Sequence, residues 1–157
     1  MLIEFILNEK PVSVEAPPDI SLLALLRDYL GLMGTKEACK VGECGACSVI
    51  MDGRLVNSCM VLAPQAAGLE VLTIEGVSLE DGVPNDMQEN FIDCGAVQCG
   101  FCTPGMVLAG EALLMHKPDP SRDEIRFALS GNLCRCTGYT QIIDAVEATA
   151  KQRQDKA

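Results

Sequence analysis

The sequence is short of positive charge and of long apolar runs. Lys and Arg total 12 against 22 Asp and Glu, which gives a formal net charge of -10. A nucleic-acid surface needs a basic stripe, so nucleic acid is excluded as an expected partner. No apolar segment is long enough to span a membrane, and the first apolar run contains Glu4 and follows no basic residue, unlike a secretory signal. We therefore expect a cytoplasmic chain with no membrane partner.

The sequence also has little that suits acid-base catalysis. Its one histidine, His116, lies between Met115 and Lys117 near a predicted helix end, where we expect it at the surface. The carboxylates are scattered, without the clustered pair that would indicate general acid-base work. The sequence therefore predicts no catalytic residue on this chain.

Cysteine, by contrast, is abundant. In a reducing compartment thiols bind metal or do chemistry more often than they form disulfides. An odd number cannot all pair, and two cysteines separated by one residue suit no simple disulfide framework. Metal ligation is therefore the favoured use of the nine cysteines, which are Cys39, Cys44, Cys47, Cys59, Cys94, Cys99, Cys102, Cys134 and Cys136.

The first half of the sequence has the pattern of a small mixed sheet with one crossing helix. LIEFILN and PVSVE predict a first hairpin, and leucines at helical spacing after Ser21 predict a short helix that ends at Gly31. A second hairpin is predicted around the Asp52-Gly53 turn, and residues 69–75 form a last strand. These elements predict a first domain over residues 1–76.

The second half has a helical period from about Pro84 onward. Residues 77–83 are interpreted as a linker, and residues 84–157 as a helical domain. Ser121 and Glu124 indicate a capping box, and Met106 and Met115 are expected in the core. Four helices are predicted, within residues 84–95, 103–116, 121–131 and 137–152.

Four cysteines of the first half have a spacing typical of one metal centre. Cys39, Cys44 and Cys47 follow a C-x4-C-x2-C pattern, and eleven residues separate them from Cys59. This is the plant-type ferredoxin spacing for a 2Fe-2S cluster. The glycines inside the loop leave room for backbone amides to approach the sulfurs. A structural zinc ion held by the same four thiolates is the alternative, although zinc has no need of the glycines.

A second set of four cysteines lies in the helical half. Cys99 and Cys102 are separated by two residues, and Cys134 and Cys136 by one. Each pair lies just ahead of a predicted helix, the second of which would begin at Thr137. We expect the free amides and positive dipole ends of both helices to favour thiolates and a second cluster. Spacing alone leaves zinc open at this site.

Three strings together carry a resemblance to a known family. KEACKVGECGACSV, GAVQCGFCTPGM and GNLCRCTGY, in this order, resemble the iron-sulfur subunit of the molybdenum hydroxylases, the xanthine dehydrogenase and aldehyde oxidoreductase family. The likeness extends from about residue 2 to 150. It implies an α+β fold, in which an N-terminal beta-grasp ferredoxin-like domain precedes a C-terminal four-helix-bundle domain, with one 2Fe-2S cluster in each.

The resemblance also implies a role for individual residues. Cys136 would lie closest to the pterin of a molybdopterin cofactor on a large partner subunit, and Gln98 would contact that pterin. Electrons would pass from molybdenum through the inner and then the outer cluster to FAD on a medium subunit or to another acceptor. The implied ligands are Cys39, Cys44, Cys47 and Cys59 for the outer cluster, and Cys99, Cys102, Cys134 and Cys136 for the inner one.

The resulting hypothesis is an electron-transfer subunit of a heteromeric molybdenum hydroxylase, without a substrate site of its own. One alternative is a free-standing two-cluster ferredoxin, whose acidic surface would seek basic docking sites. Another is a zinc-bound structural module. The resemblance fits parent enzymes that act on a purine, nicotinate, an aldehyde, carbon monoxide or an aromatic thioester, and it is compatible with a higher-order oligomer. Cys94 lies outside both ligand sets and is expected to be buried.

Overall fold

The first half of the chain folds into one five-stranded sheet. A computed structural model describes residues 1–157. The strand order is β2-β1-β5-β3-β4, and β1 and β5 are parallel while the other neighbours are antiparallel. The strands are β1 (Leu2–Leu7), β2 (Lys10–Glu15), β3 (Ser48–Met51), β4 (Arg54–Asn57) and β5 (Glu70–Leu72).

Two tight turns form the hairpins that the sequence predicts. Asn8 and Glu9 have φ of 49° and 67°, and Asp52 and Gly53 have φ of 46° and 74°. Positive φ at both central residues belongs to the turn whose twist matches the twist of paired strands. The predicted hairpins are present, whereas the last strand is shorter than the predicted range of 69–75.

The crossing helix begins as predicted and then widens. Helix α1 (Leu22–Ala24) is capped by Ser21, whose Oγ accepts a hydrogen bond of 3.1 Å from the Ala24 N–H. The chain continues as a π-helical segment over Leu25–Tyr29. Leu22, Leu25 and Leu26 pack against the sheet, together with Phe5 and Val49, and form the first core.

Four helices make up the second half. Helices α2 and α4 each begin with a reciprocal capping box, at Asn85 with Gln88 and at Ser121 with Glu124. None of the helices combines the length and apolar character needed to cross a membrane. Their bounds are α2 (Asp86–Asp93), α3 (Thr103–His116), α4 (Arg122–Leu129) and α5 (Thr140–Lys156).

Strand β3 belongs to two hydrophobic cores at once. Val49 is fully buried in the first core, whereas Ile50, the next residue along the strand, is buried in the core of the helical half. Because successive side chains of a strand point to opposite faces, α3 can pack on the face that α1 leaves free. Strand β3 therefore separates the two cores and contributes side chains to both.

A partly buried ion network connects α5 to α2 and α3. Arg153 of α5 binds Asp86 through two hydrogen bonds of 2.7 and 2.8 Å, and it also binds Glu111 of α3. Glu111 is buried, and it accepts a further hydrogen bond from Asn85. Each charged oxygen of the buried carboxylate thus has a donor, which is the condition for burying it.

Two expectations about side chains in the helical half need correction. Met106 is fully buried, as expected, but Met115, the last residue but one of α3, is 52% exposed. Cys94, the C-cap of α2, is half-buried against the helical core and not fully enclosed. Burial, with Asp144 and Asp93 nearby, raises the pKa of its thiol, so it stays protonated at neutral pH.

Candidate metal centres

The first cysteine set occupies a loop and a turn at one end of the sheet. Cys39, Cys44 and Cys47 lie on the loop between the π-helical segment and β3, and Cys59 lies in a 3-10 turn after β4. The thiols approach one another in pairs, Cys39 with Cys44 and Cys47 with Cys59. The structure therefore brings the four predicted residues together as two pairs.

The loop aims backbone amides at one sulfur. The N–H groups of Val41, Glu43 and Cys44 each lie 3.4 Å from Cys39 Sγ. Gly42 permits this curl because its φ is +78°. The three amides lower the pKa of the Cys39 thiol to about 6, so this sulfur is a thiolate at neutral pH and is ready to bind a metal ion.

The second cysteine set joins two loops of the helical half. Cys99 and Cys102 lie just before α3, and Cys134 and Cys136 lie between α4 and α5. Cys99 contacts Cys136, and Cys102 contacts Cys134. The set thus consists of two pairs, and each pair combines one thiol from the first loop with one from the second.

Within each pair the two thiols differ in acidity. The Phe101 N–H lowers the pKa of Cys99, and contact with Cys99 raises the pKa of Cys136. Burial raises the pKa of Cys102 to about 12. Cys134 is also partly buried, but hydrogen bonds lower its pKa to about 7. Each pair thus combines a more acidic thiol with a less acidic one, and metal binding releases the protons of its thiol ligands.

A short polar network surrounds Cys134. The backbone N–H and the hydroxyl of Thr137 lie 3.3 and 3.1 Å from Cys134 Sγ. The Tyr139 hydroxyl accepts a hydrogen bond of 2.8 Å from the Cys134 N–H and donates one of 3.1 Å to its carbonyl. Tyr139 itself has φ of +66°, an unusual value for a residue with a side chain. Both the sulfur and the backbone of Cys134 are therefore held in place.

The expectation that two helix starts supply the donors is wrong. Helix α5 begins at Thr140, three residues after Thr137, and the Thr137 hydroxyl binds a sulfur instead of capping a helix. The amides that reach the sulfurs of this set belong to Phe101 and Thr137, both in the loops. The donors are local to the cysteines, and not the first-turn amides of α3 and α5.

The donor sets fit 2Fe-2S clusters. Soft thiolates suit iron-sulfur chemistry, and a cluster with four cysteines places two protein sulfurs on each of its two irons. The eight sulfurs form four such pairs.

Direct contacts connect the two cysteine sets. The Leu133 N–H donates a hydrogen bond of 2.9 Å to the Cys44 carbonyl. The buried Asn132 side chain donates to the Gly45 carbonyl and to Ser48 Oγ, both at 3.0 Å. Gly105 of α3 lies so close that a Cβ there would be 2.5 Å from the Gly45 oxygen. The loops thus form one packed unit.

The remaining candidate residues lie at the surface. Gln98 is exposed and directly precedes Cys99. His116 is exposed, as expected, and its Nε2 lies 2.7 Å from the Gly53 carbonyl oxygen in the β3–β4 turn. Sequence reasoning missed Asn132 and Gly105, because their partners are distant in the sequence. It assigned Thr137 to a helix start, although its nearness to Cys134 was a usable signal.

Two family models cover nearly the whole chain. A 2Fe-2S iron-sulfur cluster binding domain matches residues 5–73, and a 2Fe-2S binding domain matches residues 73–147. The nicotinate dehydrogenase small FeS subunit of Eubacterium barkeri is 52% identical over 140 residues, which cover 89% of this chain and 88% of that one. The chain belongs to the small iron-sulfur subunits of the molybdenum hydroxylases.

Further relatives extend the agreement to the fold. The xanthine dehydrogenase iron-sulfur-binding subunit of Escherichia coli O157:H7 is 44% identical over 146 residues, which cover 92% of this chain and 91% of that one. A chain of quinoline 2-oxidoreductase from Pseudomonas putida 86 superposes with a TM-score of 0.93 at 43% identity, covering 99% of this chain and 96% of that chain.

Family membership decides between the alternatives left open by the sequence. The protein is an electron-transfer subunit of a heteromeric molybdenum oxidoreductase and carries two 2Fe-2S clusters. The free-standing ferredoxin and the zinc module are set aside. The predicted α+β fold, with a ferredoxin-like domain followed by a helical 2Fe-2S domain, is confirmed.

Proposed function

We propose that this small iron-sulfur subunit receives electrons from a large molybdopterin-binding subunit and delivers them to a medium FAD-binding subunit, in the cytoplasm. The ligands of the outer cluster would be Cys39, Cys44, Cys47 and Cys59. Those of the inner cluster would be Cys99, Cys102, Cys134 and Cys136. The observation that carries this assignment is the arrangement of the eight thiols as four pairs.

The loops around each set support the assignment by what they do for bound sulfur. Amide and hydroxyl hydrogen bonds to Cys39 and Cys134 stabilise negative charge on those sulfurs. Cys47 is buried and Cys102 is half-buried, which limits the access of water to one side of each set. When bound, a 2Fe-2S cluster takes up and releases one electron, and the chain holds it at a fixed place for that exchange.

Exposed side chains near Cys136 support the proposed contact with the molybdopterin subunit. Cys99, Cys136 and Gln98 are exposed, and the large apolar residues Phe101 and Leu133 nearby are 47% and 59% exposed. Exposed apolar surface of this kind is typical of protein interfaces. We assign Cys136 and Gln98 to the contact with the pterin on this basis and on that of the family motif.

A second exposed apolar surface lies at the other cysteine set. Val41 and Met60, beside Cys39 and Cys59, are 61% and 62% exposed. The two surfaces belong to different cysteine sets, so one can face the donor subunit and the other the acceptor. This supports a role as a relay between two partners, with FAD as the expected acceptor group.

The names of the relatives support placing the substrate pocket on a partner. Small subunits similar to this chain come from enzymes named for nicotinate and xanthine, and a matched structure from one named for quinoline. Identities of 43–52% across these names indicate a subunit whose sequence follows the electron path. We propose that substrate choice is made on the large subunit.

The ligand assignment is tested in the complex purified anaerobically. Cys39→Ala and Cys99→Ala should each remove one of two 2Fe-2S signals in electron paramagnetic resonance after dithionite reduction, and about two of four irons. Cys94→Ala is the matched control and should keep both signals. Two intact signals in the Cys99→Ala complex, or zinc without any signal, would contradict the assignment. Stoichiometric molybdenum in the complex tests the partner, and its lack would contradict the relay.

A further inference from the structure

The Thr137 hydroxyl differs from the other hydrogen-bond donors around the cysteine sulfurs. It lies 3.1 Å from Cys134 Sγ, whereas the donors to Cys39, Cys44 and Cys99 are backbone N–H groups. The Ser58 hydroxyl, next to Cys59, donates to the Cys47 carbonyl at 2.7 Å, and it also acts on the Cys47 thiol, where it opposes the rise in pKa that burial causes. A side-chain substitution at Thr137 therefore removes its hydroxyl donor. A change of side chain at the other sites leaves the backbone N–H donor in place.

The surroundings of Thr137 orient its hydroxyl hydrogen toward the sulfur. The Tyr139 N–H lies 3.4 Å from Thr137 Oγ1 and donates to it, so a lone pair of the oxygen is used there. Thr137 is 9% exposed, which leaves little water to compete for the hydroxyl. The hydroxyl hydrogen is thus free for Cys134 Sγ, and the hydrogen bond is short for a sulfur acceptor.

We propose that the Thr137 hydroxyl raises the reduction potential of the inner cluster through its hydrogen bond to Cys134. The inference rests on the proposed function, because it needs Cys134 as an iron ligand. Reduction adds one electron, and with it negative charge, to the cluster and its sulfurs. A hydrogen bond to a charged acceptor strengthens as that charge grows, so the hydroxyl favours the reduced state.

The direction of this effect matters for electron flow. The inner cluster is the nearer one to the molybdopterin subunit in the proposed relay, and the Thr137 hydroxyl makes it a better acceptor for the electron that arrives. In the outer set, the three donors to Cys39 are all backbone N–H groups. The balance between the two potentials can therefore be adjusted at residue 137 without remodelling either loop.

The test is a redox titration of the intact complex, followed by electron paramagnetic resonance. Thr137→Val keeps the shape of the side chain and removes the hydroxyl. We expect the midpoint potential of one cluster signal to become more negative. A shift of about 59 mV corresponds to a tenfold change in the ratio of reduced to oxidised cluster. The other signal should keep its midpoint potential. Thr137→Ser retains a hydroxyl and should restore both values.

Tyr139→Phe separates the sulfur hydrogen bond from loop position. It removes the hydroxyl that holds the Cys134 backbone and leaves the donor to the sulfur in place, so it should shift the potential much less than Thr137→Val. An equal shift in Tyr139→Phe, an unchanged potential in Thr137→Val, or an equally large shift in Thr137→Ser would overturn the inference. Four irons and two signals in Thr137→Val would show that both clusters still assemble, while Cys39→Ala and Cys99→Ala test the ligand assignment, so the two proposals fail separately.

Discussion

Replacing Gly105 with alanine tests how tightly helix α3 is pressed against the outer cysteine loop. A Cβ at this position would lie 2.5 Å from the Gly45 carbonyl oxygen and 3.0 Å from Asn132 Nδ2. The carbonyl cannot turn away easily, because it accepts hydrogen bonds from Asn132 and Ser48. Either the helix or the loop must therefore move, and with it the spacing of the two cysteine sets.

Gly110 offers a matched control on the same helix. A Cβ there would lie 3.0 Å from Met87 Cε and from Val146 Cγ2, which are ends of side chains that can rotate. Both substitutions gain up to about 1 kcal/mol of helix propensity, while overpacking costs about 1–3 kcal/mol. We expect Gly110→Ala to be close to neutral and Gly105→Ala to lose about 2 kcal/mol of stability.

Thermal loss of the cluster absorbance in the intact complex measures the difference. A loss of about 2 kcal/mol corresponds to a decrease of about 4–8 °C for a chain of this size. All variants are heated at one scan rate, because cluster loss is irreversible. If Gly105→Ala melts at or above the temperature of Gly110→Ala, the close approach of α3 and the cysteine loop does not constrain the fold as argued.

Three further substitutions have defined expected outcomes. Cys94→Ala should keep about four irons per chain and both cluster signals, and a loss of iron would make Cys94 a ligand. Asp86→Asn removes a carboxylate whose pKa is lowered by the Arg153 side chain. A carboxylate whose pKa is lowered by folding stabilises the folded state at pH values above its unfolded pKa. This stabilisation is lost as the pH falls through the folded pKa. The melting temperature of Asp86→Asn should therefore be below that of the wild type at pH 7, and the difference should become smaller in acid. A difference that does not change with pH would refute this. Asn132→Ala leaves the Gly45 carbonyl and Ser48 with one donor fewer and should lower thermal stability by about 1–3 kcal/mol, whereas an unchanged melting temperature would show that the bridge is dispensable.

Local patterns predicted the regular elements of this fold well. The first hairpin followed from its two strand-like runs, the second from the Asp52-Gly53 turn, and α4 from a capping box that the structure contains. The first cysteine set followed from spacing, whereas the joining of Cys99 and Cys102 with Cys134 and Cys136 rested on the family resemblance. The features that spacing and turns predict depend on residues close together in the sequence.

The errors arise where distant segments meet. Thr137 looks like a helix cap, but Cys134 lies close enough to take its hydroxyl, and the chain passes through a strained Tyr139 before α5 begins. Asn132 and Gly45 are 87 residues apart in sequence, and no local pattern announces their contact. Met115 has the apolar character of a core residue, yet it lies near the C-terminal end of α3 and stays exposed.

The two faces of β3 have a consequence for recombining such subunits. Val49 belongs to one core and its neighbour Ile50 to the other. A chimaera that takes the sheet from one subunit and the helices from another would therefore pair a β3 strand with helices from a different protein. Exchanging the helical half alone should leave residue 50 facing an ill-fitting partner helix. A productive crossover must therefore move the β3 hairpin together with α3, even though the hairpin lies some fifty residues earlier in the chain.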